Sequence, residues 1–126
     1  MAKTEKRRKS VRLPQQVDRA VRAADDKKAT DIVVLDLRKA AGFTDFFVIC
    51  SGANPRQIRA IADAVVESLD ATGAKPAHVE GYDRSEWVLL DYFDFVVHVF
   101  ARDTRLFYGL ERLWGSAERM ELPEAQ

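Results

Sequence analysis

Several side chains in this sequence could do chemistry, and their spacing decides how far each goes. Ser51-Gly52 stands between the apolar run Phe46–Cys50 and Asn54-Pro55, which opens a helix. Backbone amides at a strand-to-helix turn of this kind can hold a phosphate. Phosphate loops are usually glycine-rich, however, and Gly52 stands alone. Nucleotidyl transfer would also need two or three carboxylates on adjacent strands to hold magnesium, and acids sharing one strand face sit at i and i+2. The chain has no such pair: Asp36-Leu37-Arg38 offers one acid, and Asp91 and Asp94 are three apart across a turn. His78, His98 and Cys50 fall on three separate segments, with no pair at metal-ligand spacing. Cys50 sits among Phe46, Phe47, Val48 and Ile49, where burial raises a thiol's pKa and leaves it a reduced core residue, not a nucleophile. These spacings predict no enzyme, no metal and no cofactor.

Binding chemistry is better represented. Trp87 to Phe100 reads as two extended segments joined by a tight turn at Tyr92-Phe93, flanked by Asp91 and Asp94. Aspartate at such a place can bond its own backbone two residues on. Both segments are aromatic and β-branched, which suits a packed, pleated surface. Trp87, Tyr92 and Phe93 are more aromatic surface than one hairpin of a small domain can easily hide, while some of Phe95, Val97 and Val99 must pack its own core. Trp and Tyr beside charged residues mark the centres of protein–protein interfaces. His98 shares a strand side with Val96 and Phe100, so it is either a core histidine with a hydrogen-bonded ring or a polar member of a binding face.

The elements that must position these residues follow from periodicity. Val17, Ala20, Val21 and Ala24 predict a helix over about 14–28, with Pro14 in its first turn. Asp31–Leu37 reads as a strand buried on both faces, and Phe46–Ser51 as a second strand. Asn54 is a good helix cap and Pro55 suits the first helical position. Ile58, Ile61, Ala62, Val65, Val66 and Leu69 continue as one stripe that Gly73 ends. Residues 75–80 form a short strand before the hairpin. Leu106, Phe107, Leu110, Leu113 and Trp114 stripe a last helix, with Asp103 as cap and Gly115 as stop. The order αββαβββα predicts an α/β fold: a mixed sheet of about five strands covered by helices.

At 126 residues the chain is one domain. The sequence divides into a basic arm over 1–12, disordered by composition, a single domain over 13–117, and a tail over 118–126. Residues 1–30 carry ten Lys/Arg against four Asp/Glu, and residues 31–126 carry ten against sixteen, so the zero net charge hides a basic arm on an acidic body. The cluster Lys6-Arg7-Arg8-Lys9 with Arg12 could contact phosphates of an RNA, or could simply be a solvated terminus. No apolar run approaches the roughly 18 residues that span a bilayer, and no signal sequence opens the chain, so a cytoplasmic protein with no membrane partner is expected.

Asp31–Leu37, Thr44–Gly52, Trp87–Tyr92 leading to Val96–Phe100, Arg105–Tyr108 and Leu110–Trp114 together resemble the ribosomal silencing factor family, RsfS, also called Iojap. The resemblance covers roughly residues 14–117, with several motifs agreeing in order and spacing. It implies a nucleotidyltransferase-like fold without the catalytic carboxylates. It also implies a translational repressor that binds the large ribosomal subunit through its ribosomal protein number fourteen. There it obstructs joining of the small subunit and damps translation when nutrients are short. Carried over residue by residue, it places the contact at Trp87, Leu90, Asp91 and Tyr92, and further at His98, Arg105 and Tyr108. This chain departs from the family in having Phe93 where a small residue is common. A nucleotide-binding or residual nucleotidyltransferase protein using the Ser51-Gly52 turn is the alternative. A homodimer packed through the same hairpin is a third arrangement that could coexist with the first.

Overall fold

The computed structural model describes residues 13–40, 42–120 and 122; the basic arm lies outside them. Ten elements follow in order: α1 (Gln15–Asp26), β1 (Thr30–Asp36), β2 (Phe46–Gly52), α2 (Pro55–Asp70), β3 (His78–Glu80), β4 (Trp87–Asp91), β5 (Phe95–Ala101), α3 (Arg102–Tyr108), α4 (Leu110–Leu113) and β6 (Glu118–Met120). The strands form one mixed sheet in the order β3-β4-β5-β2-β1-β6. Only β2 and β5 run parallel; the other neighbours are antiparallel. The α/β fold with a mixed, helix-covered sheet is as the periodicity predicts, with a sixth strand. That strand comes from the segment read as a tail: Glu118–Met120 pairs with Val34–Asp36 and covers the edge of β1.

Helices α1 and α2 lie side by side on one face. Val17, Ala20, Val21 and Ala24 of α1 and Ile58, Ile61, Ala62, Val65 and Leu69 of α2 are buried there, against Val48, Cys50, Val88, Leu90, Val97 and Val99. Fully burying one aliphatic side chain contributes about 1.5–3 kcal/mol, so this face supplies most of the stability. The local signals for α2 hold in detail. Asn54 Oδ1 accepts from the Gln57 amide at 2.8 Å, and Gln57 Oε1 accepts from the Ala53 amide at 2.6 Å, a reciprocal cap. Gly73, at φ +88°, ends the helix. Pro14 sits just outside α1, at its cap position.

Three expectations differ. The strand buried on both faces is β2, all seven residues of it, whereas only Val34 and Leu35 of β1 are fully covered. Asp103 lies in the first turn of α3 but caps nothing; Ala101 holds the cap position. The predicted last helix is two. Gly109 adopts φ +59° and ψ +45°, which turns the chain after about two turns. The apolar stripe is thereby divided: Leu110 and Trp114 pack on the sheet, while Leu106, Phe107 and Leu113 are 74%, 78% and 70% exposed.

Candidate partner-binding face

The second face of the sheet carries Leu35, Phe47, Ile49, Val96 and Phe100 with Leu37, partly covered by Leu110, Trp114 and Ala117. Strand β4 contributes Trp87, Leu89 and Asp91 to it, because successive side chains point to opposite faces. Register agrees: Trp87 lies opposite Phe100, Leu89 opposite His98, and Asp91 opposite Val96. The helices that cover the other face leave this edge of the sheet uncovered, so Trp87, Leu89 and Asp91 are only half-buried.

Trp87 is held from three sides. Its Nε1 donates to His98 Nδ1 at 3.0 Å, and its ring packs on Phe100 at 4.9 Å and Tyr108 at 4.8 Å between centroids. The indole's polar atom thus points inward, leaving apolar surface toward solvent. His98 is 3% exposed, and burial drives its pKa down to about 3. The ring is therefore neutral. Since Nδ1 accepts, the proton belongs on Nε2, which is buried without a partner among the described residues. His98 is the core histidine of the two readings. It holds the Trp87 indole from within the sheet face.

The hairpin turn forms as its residues predict. Asp91 Oδ1 accepts from the Phe93 amide at 2.8 Å, stabilising Phe93 at φ +70°, a conformation costly for a bulky residue. Asp94 contributes its carbonyl instead of its side chain, accepting from the Asp45 amide. Thr44 Oγ1 donates to the Phe93 carbonyl at 2.8 Å, which ties the turn to the segment before β2. The Phe93 ring is 70% exposed as a result.

Of the seven residues carried over from the resemblance, the structure brings Trp87, Asp91 and Tyr108 to one accessible face. Leu90, 1% exposed, belongs to the helix-covered core. Tyr92 does too: its ring stacks on Phe95 at 5.0 Å, and burial pushes its hydroxyl up to about 12. Arg105 turns inward. Its Nε and a terminal nitrogen donate to the two oxygens of Glu111 at 2.9 and 3.1 Å, and its other nitrogen donates to Ser51 Oγ at 2.8 Å. That pair holds the Glu111 carboxyl below its usual pKa. Leu90, Tyr92, His98 and Arg105 are thus all buried. Sequence reasoning missed an exposed neighbour: Phe107, read as part of a packed stripe, lies beside Tyr108 with the two rings 5.0 Å apart, while Leu106 is exposed on the other side of the helix. Gly109 inside the stripe was the available signal. Asp94, three residues on from Asp91, is exposed, as are Glu80, Asp83, Arg84 and Glu86 elsewhere in the same stretch of chain.

The Ser51-Gly52 turn has little left for a phosphate. The Ala53 and Gln57 amides are bonded by the reciprocal cap, and Ser51 Oγ is engaged by Arg105. A Cβ at Gly52 would lie 2.8 Å from Ile58 Cγ1, so this glycine serves close strand-to-helix packing. Asp36 is paired to Arg38 through both oxygens, at 3.0 and 2.7 Å. Burial raises Cys50 to about 12. Among the described residues, no three His, Cys, Asp or Glu side chains gather as a metal site, and no helix is long and apolar enough to cross a membrane.

The chain is similar to several known proteins. The family described as "Ribosomal silencing factor during starvation" matches residues 10–126. The ribosomal silencing factor RsfS of Halalkalibacterium halodurans is 44% identical over 103 residues, covering 82% of this chain and 88% of that protein. A mouse protein named mitochondrial assembly of ribosomal large subunit protein 1 is 31% identical over 101 residues, 78% of this chain and 44% of its own. A crystal structure of a Chromobacterium violaceum protein superposes with a TM-score of 0.78 at 33% identity, covering 87% of this chain and 88% of that one.

Proposed function

The chain belongs to the ribosomal silencing factor family, and on that premise we propose that it is a ribosome-associated translational repressor acting through the Trp87 face. In this reading it binds the large ribosomal subunit through ribosomal protein number fourteen and obstructs joining of the small subunit when nutrients are short. The mechanism is steric: it needs a complementary face and a body in the way of another particle, with no turnover and no cofactor. Such a protein works in the cytoplasm, where subunits join.

The observation that carries the reading is the fixed orientation of Trp87. His98 takes up the only polar atom of the indole, so the ring presents apolar area at no further ordering cost. Asp91 and the exposed Asp94 near it in the chain suit a basic partner, as ribosomal proteins commonly are, and would raise the association rate and fix orientation. Residues 1–12 add a separate rRNA contact in this proposal. The exposed aromatic patch also suits a second copy of the chain, and such a dimer would be a storage form that hides the face.

Co-sedimentation with purified subunits tests this. The chain should travel with large subunits and not with small ones; equal binding to both, or to neither, overturns the reading. Deleting residues 1–10 should flatten the salt dependence of binding while leaving specific binding in place.

A further inference from the structure

On the far side of α3 from Trp87 lies an open cleft of about 520 Å³, a volume in the range of small-molecule sites. Its walls come from the start of β1, the end of β2, α3, Glu111 and β6. Three arginines line it, Arg102, Arg105 and Arg119, together with the acids Asp31 and Glu111.

The arginines are not equivalent. The Arg105 side chain is 9% exposed and is fixed by Glu111 and Ser51, which engage three of its five N–H groups. Two donors remain on a charge that the fold has already oriented. Arg119 reaches the same carboxylate at 3.3 Å and is otherwise open to solvent, and Arg102 has no ion pair among the described residues. The opposite wall is irregular. Thr30 faces Ser51 and Val33 faces Ile49, so Asp31 and Ile32 together oppose Cys50, a bulge with Asp31 at φ +51°. Bulges leave a residue outside the ladder and often adjoin binding sites. Ile32, Val33 and Leu106 add an apolar wall.

We propose that this cleft binds the phosphate groups of a small phosphorylated molecule about the size of a mononucleotide. Arg102 and Arg119 close on the phosphates, Arg105 forms the charged floor, the apolar wall takes a ring, and the Asp31 carboxylate accepts from sugar hydroxyls. Planar, bidentate guanidinium groups are well suited to phosphate oxygens. This site differs from a magnesium-dependent transferase site, because arginines hold the phosphates in place of metal-bound carboxylates. It stands independently of the ribosomal reading.

Calorimetry on the full chain with ADP and with pyrophosphate tests it. One saturable site for ADP is expected, weakened at least tenfold by Arg102→Ala and by Arg119→Ala and unchanged by Trp87→Ala. Both arginines are exposed, so thermal unfolding of these variants should stay near that of the parent. Equal affinity for pyrophosphate would assign the site to free phosphates, and tighter binding of ADP to a nucleotide. No saturable binding of either probe at millimolar concentration overturns the proposal. So does binding undiminished in the double variant.

Discussion

Val88 and Leu90 lie under α2 with less than 2% of their surface exposed, while Trp87 and Leu89, one residue away on the same strand, are partly exposed. The helix-covered face is aliphatic and close-packed, and its polar atoms are few. The other face is aromatic, contains the buried ring of His98, and is roofed only in part by Leu110 and Trp114. Stability is concentrated on the first and accessible apolar surface on the second. A small domain can therefore keep a sticky face without losing its fold, because the two demands fall on alternate residues.

Substitutions on β4 test this division most directly. Leu90→Ala should cost about 2–5 kcal/mol of folding stability, the range for truncating a buried leucine, as read by chemical denaturation. A loss under 1 kcal/mol would mean that α2 does not seal that face. Trp87→Ala, three residues earlier and on the opposite side, should leave a cooperative thermal transition but weaken binding to large subunits by about 2 kcal/mol or more. If it instead unfolds the protein while a folded fraction binds normally, Trp87 belongs to the core and the contact lies elsewhere.

The buried histidine gives a pH signature specific to the aromatic face. His98 has a folded pKa of about 3 against an unfolded value of 6.5, so the unfolded chain binds the extra proton first. Stability from this group is complete above pH 6.5 and is lost progressively as pH falls toward 3, by up to about 1.4 kcal/mol per pH unit. His98→Gln can keep an acceptor for the indole and removes the titration, so its unfolding free energy should fall less steeply over that window. Matching slopes would place the proton elsewhere. The smallest effect expected is that of Asp91→Asn. It can keep the bond to the Phe93 amide and removes only a partly exposed charge, so folding should change by less than about 0.5 kcal/mol. Association with large subunits should slow at low salt and converge with the parent as salt rises. A salt-independent loss would show that Asp91 contacts its partner directly.

Much of the fold could be read from particular residues. Asn54, Pro55 and Gly73 delimit α2, Asp91 marks the turn, and the order of elements follows from the changes of period. Of the residues named from the resemblance, Trp87, Asp91 and Tyr108 share one accessible face of the sheet. That Leu90 and Tyr92 lie in the helix-covered core was also readable, since residues three and five positions from Trp87 point to the opposite face. Gly109 was harder to read, because a glycine in a helical stripe is compatible with a continuous helix at modest cost, and only the left-handed conformation it adopts here sends Leu106 and Phe107 outward. Nothing local announces β6. Three residues of mixed polarity become a strand because β1 offers an unpaired edge.

The sequence by itself determines which residues share a face, since alternation along a strand and recurrence along a helix are set by backbone geometry. It also determines where elements begin and end, because caps and turns satisfy backbone groups with side chains close by in the chain. Which face of the sheet stays open was decided only in three dimensions. Both long helices return over the same side, and the chain after β5 is too short and too sharply turned at Gly109 to roof the other. The inward turn of Arg105 has the same origin. Its partners lie 6 and 54 positions away, and a nearly buried guanidinium must find a carboxylate wherever the fold provides one.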